Sequence, residues 1–231
     1  MGRRMDVITS WAASTAGLGI GMAVGKLGAR PERPLELYEF EGCPFCRRAR
    51  QALSVLDLDA MIYPCPKGGT RYRPIVKERG GQNMFPYLID PNTGVEMYQS
   101  LDIAAYLHKT YGRGSRPLSF RGMRGVAPLS TLASAMRPTK GGRAVDARAP
   151  QEPLELYSFE ASPYCRIVRE TLSILEIPYL LRNVAKGSKK RKEFIELSGK
   201  MMVPYLVDPN TGVSMFESGD IKQYLYDTYA Q

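Results

Sequence analysis

The chain has 231 residues, 44% of them apolar, and a formal net charge of +9. That is enough chain for two small domains, and four unevenly spaced cysteines exclude a secreted disulfide framework. Residues 1–33 hold five basic side chains against two acidic ones and residues 112–153 eight against two, while 34–111 and 154–231 each balance. Neither balanced stretch offers the clustered positive charge that a nucleic-acid-binding face requires.

The leader, 1–33, contains an uncharged run from Val7 to Gly25. The run approaches membrane-spanning length, but Gly, Ala, Ser and Thr make its insertion weak. It reads as a targeting remnant, a surface or packing helix, or a span.

The strand-like run Leu35 to Phe40 leads into Glu41-Gly42-Cys43-Pro44-Phe45-Cys46, and a helix-like run follows. A Cys-x-x-Cys pair at a strand-to-helix junction is a redox arrangement. The first thiol lies over unpaired backbone N–H groups that favour a thiolate, and the second lies one turn along, able to attack a mixed disulfide on the first. A zinc half-site needs two further ligands. The single histidine, His108, reads as a surface residue near a helix end, and no metal site is expected. The pattern then predicts a strand near Met61–Cys65, a helix over Tyr72–Arg79, a strand Tyr87–Ile89, a tight Asp90–Gly94 turn, a strand Val95–Tyr98, and a helix capped by Ser100. Cys65 reads as a partly buried strand-end thiol.

From 153 the sequence repeats itself. Pro34-Leu35-Glu36-Leu37-Tyr38 recurs at 153–157, Phe40–Arg47 as Phe159–Arg166, and Phe85–Val95 as Val203–Val213. Two copies of one unit follow, at 34–111 and 154–231, each ordered β-α-β-α-β-β-α. In the basic stretch 112–153 between them, Pro128–Met136 reads either as a short helix matching a leader helix near Thr9–Ala16 or as part of a flexible linker. Lys186–Lys192 reads as a solvated loop and helix start.

Cys43-Pro44-Phe45-Cys46, Phe85-Pro86 and Gln99-Ser100 together resemble glutaredoxins and the N-terminal domains of glutathione S-transferases. The layout is similar to plant and algal chloroplast proteins with tandem domains of this type. The resemblance implies an α/β fold of two tandem thioredoxin-like domains with no all-helical C-terminal domain. It implies glutathione as cofactor, Cys43 attacking and Cys46 resolving, and Phe85, a cis Pro86, Gln99 and Ser100 holding glutathione. In the second unit the matching positions are Ser162, Cys165, Val203, Pro204, Glu217 and Ser218. Ser162 in place of a cysteine cannot form a mixed disulfide, so that unit reads as a binding or structural copy. The missing helical domain favours thiol–disulfide chemistry over conjugation. The implied activity is glutaredoxin-like. The alternatives are a scaffold of a chloroplast membrane complex, reached through the basic leader and linker, and a glutathione-ligated [2Fe–2S] carrier. The implied location is the chloroplast, in the stroma or at the thylakoid, and the implied partners are protein disulfides or mixed disulfides and no nucleic acid.

Overall fold

The structure is a computed structural model that describes residues 3–16, 19–113 and 140–231. Its centre is one eight-stranded mixed sheet in the order β4-β3-β1-β2-β6-β5-β7-β8. Repeat one contributes β1 (Leu35–Glu39), α2 (Pro44–Val55), β2 (Ala60–Pro64), α3 (Arg73–Gly80), β3 (Tyr87–Asp90), β4 (Val95–Met97) and α4 (Ser100–Tyr111). Repeat two contributes β5 (Leu154–Ser158), α5 (Pro163–Ile174), β6 (Tyr179–Asn183), α6 (Arg191–Ser198), β7 (Tyr205–Asp208), β8 (Val213–Phe216) and α7 (Ser218–Tyr229). A leader helix, α1, spans Arg3–Ala16. It begins six residues before the expected Thr9 and ends well short of Gly25, and no described helix is long and apolar enough to cross a membrane. The expected helix at Pro128–Met136 lies outside the described residues.

Each repeat pairs its first two strands in parallel and its first and third antiparallel. The sequence reads as two units, and the structure joins them through β2 and β6. These strands pair antiparallel, Ala60 with Leu181 and Ile62 with Tyr179. Pro64, which has no N–H to donate, falls beyond that pairing. The joint covers an edge that each repeat would otherwise expose. The apolar core is continuous across it, from Leu35, Leu37 and Leu53 to Leu154, Leu156 and Leu172. Each such buried side chain contributes roughly 2 kcal/mol as an upper estimate.

The connecting segments cross over. Residues 22–24 run against repeat two, where the Val24 amide donates to the Lys186 carbonyl (2.9 Å) and the Lys186 amide to Met22 (2.8 Å), before Gly25 returns to repeat one by donating to the Val55 carbonyl (2.7 Å). Residues 142–144 run against repeat one in the same way, through Lys67 to Gly142 (2.8 Å) and Ala144 to Lys67 (2.9 Å), before Val145 returns to repeat two by donating to the Ile174 carbonyl (2.9 Å). The Ser54 hydroxyl donates to the Gly21 carbonyl (2.9 Å), and that of Ser173 to Gly141 (2.8 Å). Gly21 and Gly141 have φ of +90° and +68°, and a Cβ there would sit 2.9 Å from Glu160 Cβ and 2.8 Å from Glu41 Cβ, so both positions require glycine. Lys140–Ala147, expected as part of a flexible linker, is thus an ordered strap.

Helices α2 and α5 carry several charged residues, yet ten of the twelve residues of each are buried. Their arginines meet glutamates of both repeats. Arg50 contacts Glu41 and Glu160 (both 3.0 Å) and also Glu39. Arg169 contacts Glu41 (3.0 Å) and Glu160 (3.1 Å). Arg47 approaches Glu160, and Arg166 approaches Glu41, each at 3.6 Å. Burial pushes the Glu160 carboxyl up, but Arg169, Arg50 and Arg47 more than reverse this, to about 2. Burial and the neighbouring carboxylates raise Glu39 to about 7 despite Arg50. Lys190, within the run expected to be solvated, bridges to Asp59 (2.5 Å) and Asp57 (3.3 Å) of repeat one.

Removing one member of this network leaves the others charged and buried. Glu160→Gln should lower the unfolding free energy by about 3–5 kcal/mol, measured by urea denaturation at neutral pH. The exposed Arg79–Glu96 pair (2.7 Å) supplies the control, because Glu96→Gln should cost at most about 1 kcal/mol.

Candidate functional site around Cys43

The turn between β1 and α2 places Cys43 at the N-cap of α2, with extended backbone (φ −85°, ψ 120°) and Pro44 in the first helical turn. The Cys46 amide donates to Cys43 Sγ at 3.3 Å. Ser162 caps α5 in the same way, its Oγ accepting from the Cys165 amide at 3.2 Å. Either side chain therefore satisfies one orphan N–H of its helix, and the exchange of Cys for Ser preserves the turn.

The Cys43 thiol is held down at about 7. The hydrogen-bonded Cys46 side chain is the largest cause, burial opposes it, and the Cys46 and Phe45 amides and the Arg50 charge add to the lowering. Near neutral pH about half of it is thiolate, the nucleophilic form. Cys46 is fully buried, and burial followed by the Cys43 contact pushes its thiol well above the ordinary value. Cys43 is 5% exposed, whereas Phe45, two residues on, is 53% exposed.

Sheet register brings the other predicted positions to the same end. Tyr38 pairs with Tyr87 and Leu88 with Met97, so Phe40, Phe85 and Gln99 all lie just beyond the strand ends that face the Cys43 turn. The Phe40 and Phe85 rings meet edge to face at 6.2 Å. The Phe85–Pro86 and Val203–Pro204 bonds are cis. Ser100, expected to cap α4, is instead its first helical residue and is buried. Gln99 occupies the cap at φ 69°, exposed and with no side-chain cap bond, which leaves the α4 N-terminal amides open to a ligand carboxylate. Asp90 anchors α4 to the β3–β4 turn through Tyr106 (2.5 Å) and Tyr111 (2.6 Å).

Repeat two assembles Ser162, Cys165, Val203, Pro204, Glu217 and Ser218 by the same register, Tyr157 pairing with Tyr205 and Tyr205 with Phe216. Glu217 repeats the left-handed cap at φ 67°. There α1 crosses the start of α5: the Ser10 hydroxyl donates to the Pro163 carbonyl (2.6 Å), and Arg166 donates to the Ser10 carbonyl (3.1 Å).

Two expectations need correction. His108 is buried in the last turn of α4, not on the surface. Cys65 is fully buried beyond β2, where its amide donates to the Glu39 carbonyl (2.6 Å) and burial raises its thiol. Val184 makes the equivalent bond to Ser158 (3.0 Å). Among the described residues no group of three or more His, Cys, Asp or Glu side chains could hold a metal. Arg50, whose charge favours the Cys43 thiolate, is a site residue that the Cys-x-x-Cys motif does not mark.

The family model of the glutathione S-transferase N-terminal domain matches residues 37–116 and again 156–231. The chain belongs to that family. A curated relative, the glutathione S-transferase-like protein OpS6 of Beauveria bassiana (strain ARSEF 2860), is 31% identical over 78 residues, 34% of this chain and 36% of that protein. The chain thus spans about a third of that relative's length. Among solved structures, the Bombyx mori glutathione transferase BmGSTD1 is 26% identical, with 37% of this chain and 39% of that chain covered at a TM-score of 0.34. Leishmania TDR1, a trimeric glutathione transferase, is 14% identical, with 87% and 68% covered at a TM-score of 0.32.

The thiol geometry makes a direct prediction. The rate of Cys43 alkylation by iodoacetamide should rise with pH through a midpoint of about 7. Cys46 and Cys65 should stay unreactive until well above their ordinary range. Peptide mass spectrometry after timed quenching reads each site, and equal titration of Cys43 and Cys46 would contradict the assignment.

Proposed function

We propose that the protein is a glutathione-linked thiol–disulfide oxidoreductase whose reacting atom is Cys43 Sγ. The observation that carries this reading is the N-cap thiol of α2, lowered to about 7, beside a buried Cys46 whose thiol is raised. Family membership supports glutathione as the partner. The uncapped start of α4 at Gln99 and Ser100 suits its γ-glutamyl carboxylate. Phe85 and Pro86, beside the Cys43 turn, would meet the rest of the tripeptide.

The chemistry balances without a metal. The Cys43 thiolate attacks the glutathionyl sulfur of a mixed disulfide, the Cys43–glutathione bond forms, and the substrate thiolate leaves and takes a proton from water. A second glutathione thiolate then attacks that sulfur, yielding glutathione disulfide and restoring Cys43. Cys46 could resolve instead, but its thiol must first lose a proton at a buried position where the thiolate is disfavoured. Glutathione is therefore the faster resolving thiol. Repeat two, with Ser162 in place of the nucleophile, serves as a structural copy that supplies Glu160 to the Arg50 network. Its Ser162, Cys165, Val203, Pro204, Glu217 and Ser218 retain the frame of a glutathione site without the attacking sulfur. A chloroplast location belongs to the same proposal and rests on the tandem layout.

Reduction of a glutathionylated peptide, coupled to glutathione reductase, tests the reading. Cys43→Ser should fall to the rate of glutathione alone. Cys46→Ser should keep most of the activity, because a serine hydroxyl can still donate to the Cys43 thiolate. Full activity in Cys43→Ser would remove the site from this position.

A further inference from the structure

We propose that the outward face of α1, Met5, Ile8 and Trp11 with Tyr164 beside it, seats the protein on an anionic lipid surface. This inference goes beyond the thiol chemistry and does not depend on it.

The helix is docked the wrong way round for a water-facing surface helix, which ordinarily buries its apolar stripe. Its inward face is polar. Asp6 is buried and pairs with Lys222 at 2.9 Å and Lys140 at 3.6 Å. Ser10 is fully buried, bonded to Pro163 and Arg166. Its outward face is apolar: Met5 is 51% exposed, Ile8 60% and Trp11 50%, at three-residue spacing along one side. The Trp11 ring meets Tyr164, itself 40% exposed, edge to face at 6.4 Å. The contacts that hold α1 in place thus turn large apolar groups toward solvent, where they are stabilised only by an apolar partner.

Charge selects the partner. Arg3 and Arg4 precede Met5 in sequence, so the helix begins with two basic residues. The acidic residue within α1, Asp6, is turned inward against two lysines, so it does not repel an anionic surface. Two arginines directly before an apolar stripe that includes a tryptophan match the interfacial layer of an anionic bilayer, where the ring and the alkyl groups enter the headgroup boundary. The fourteen-residue helix is about 21 Å long, suited to lying along a membrane.

Trp11 is the single tryptophan of the chain, so it reports on its own seat. The full chain should show a blue-shifted Trp11 emission with phosphatidylglycerol–phosphatidylcholine vesicles at low salt, quenched by brominated acyl chains. The shift should be lost with pure phosphatidylcholine or at high salt. Ile8→Gln, at an exposed position, should weaken vesicle binding by about tenfold, while Leu197→Gln, 58% exposed on α6, should leave it unchanged. No shift with anionic vesicles at low salt, or equal binding by Ile8→Gln, would overturn the proposal. A lipid-free shift that grows with protein concentration alongside a doubled mass would also overturn it, assigning the face to a second copy of this chain. Because the readout is binding, its failure leaves the redox assay untouched, and the reverse holds.

Discussion

Buried charge between the two repeats constrains everything else in this molecule. Glu41 and Glu160 stand in the turns that precede Cys43 and Ser162, and each is gripped by arginines of its own repeat and of the other. Buried charges of this kind add little net stability compared with apolar packing of the same volume, whereas their partial loss is costly. Their effect is therefore geometric. The network fixes how α2 and α5 lie against each other, closes the joint made by β2 and β6, and sets the height of both cap residues above their helices. The exchanged straps reinforce the same joint, since Gly21 and Gly141 pass against the Cβ atoms of Glu160 and Glu41.

The site inherits its properties from this frame. Arg50 serves both the network and the Cys43 thiolate, whose charge it favours. Repeat two has Ser162 where repeat one has Cys43, and it supplies the same helix cap and Glu160 as a partner for Arg50. A copy without a reactive sulfur then has a physical role, because its Glu160 pairs with the buried Arg47 and Arg50 of repeat one's helix.

Much of this was legible in the sequence. The repeated motifs gave the strand and helix order of both halves, because local turn chemistry at Asp90–Gly94 and Asp208–Gly212 and the cap positions act over a few residues. The Cys43 cap followed from Pro44 and the strand before it. Ser100 was misplaced by one residue, since the left-handed cap at Gln99 leaves no propensity signal in a glutamine. The joining of the halves was not legible: α2, with Arg47, Arg48 and Arg50, has the charge of a solvent-facing helix, yet Arg47 and Arg50 are buried against Glu160 of the other repeat. A signal did exist. Glu41, Arg47 and Arg50 recur as Glu160, Arg166 and Arg169, while positions 48, 49, 51 and 52 differ from 167, 168, 170 and 171, and charged residues shared by two copies are candidates for mutual pairing. The strap was hidden for a similar reason, because small and basic residues have the composition of a linker and their partners lie on the opposite repeat.

The sulfur that joins glutathione decides the chemistry of the site. Intact-protein and peptide mass spectrometry of the Cys46→Ser variant, after brief exposure to glutathione disulfide at neutral pH, answers it. The account predicts one glutathione adduct, on Cys43, formed faster as pH rises through about 7 and absent from the buried Cys65 and Cys165. An adduct confined to Cys65 or Cys165, or none at all while the fold remains intact, would contradict it.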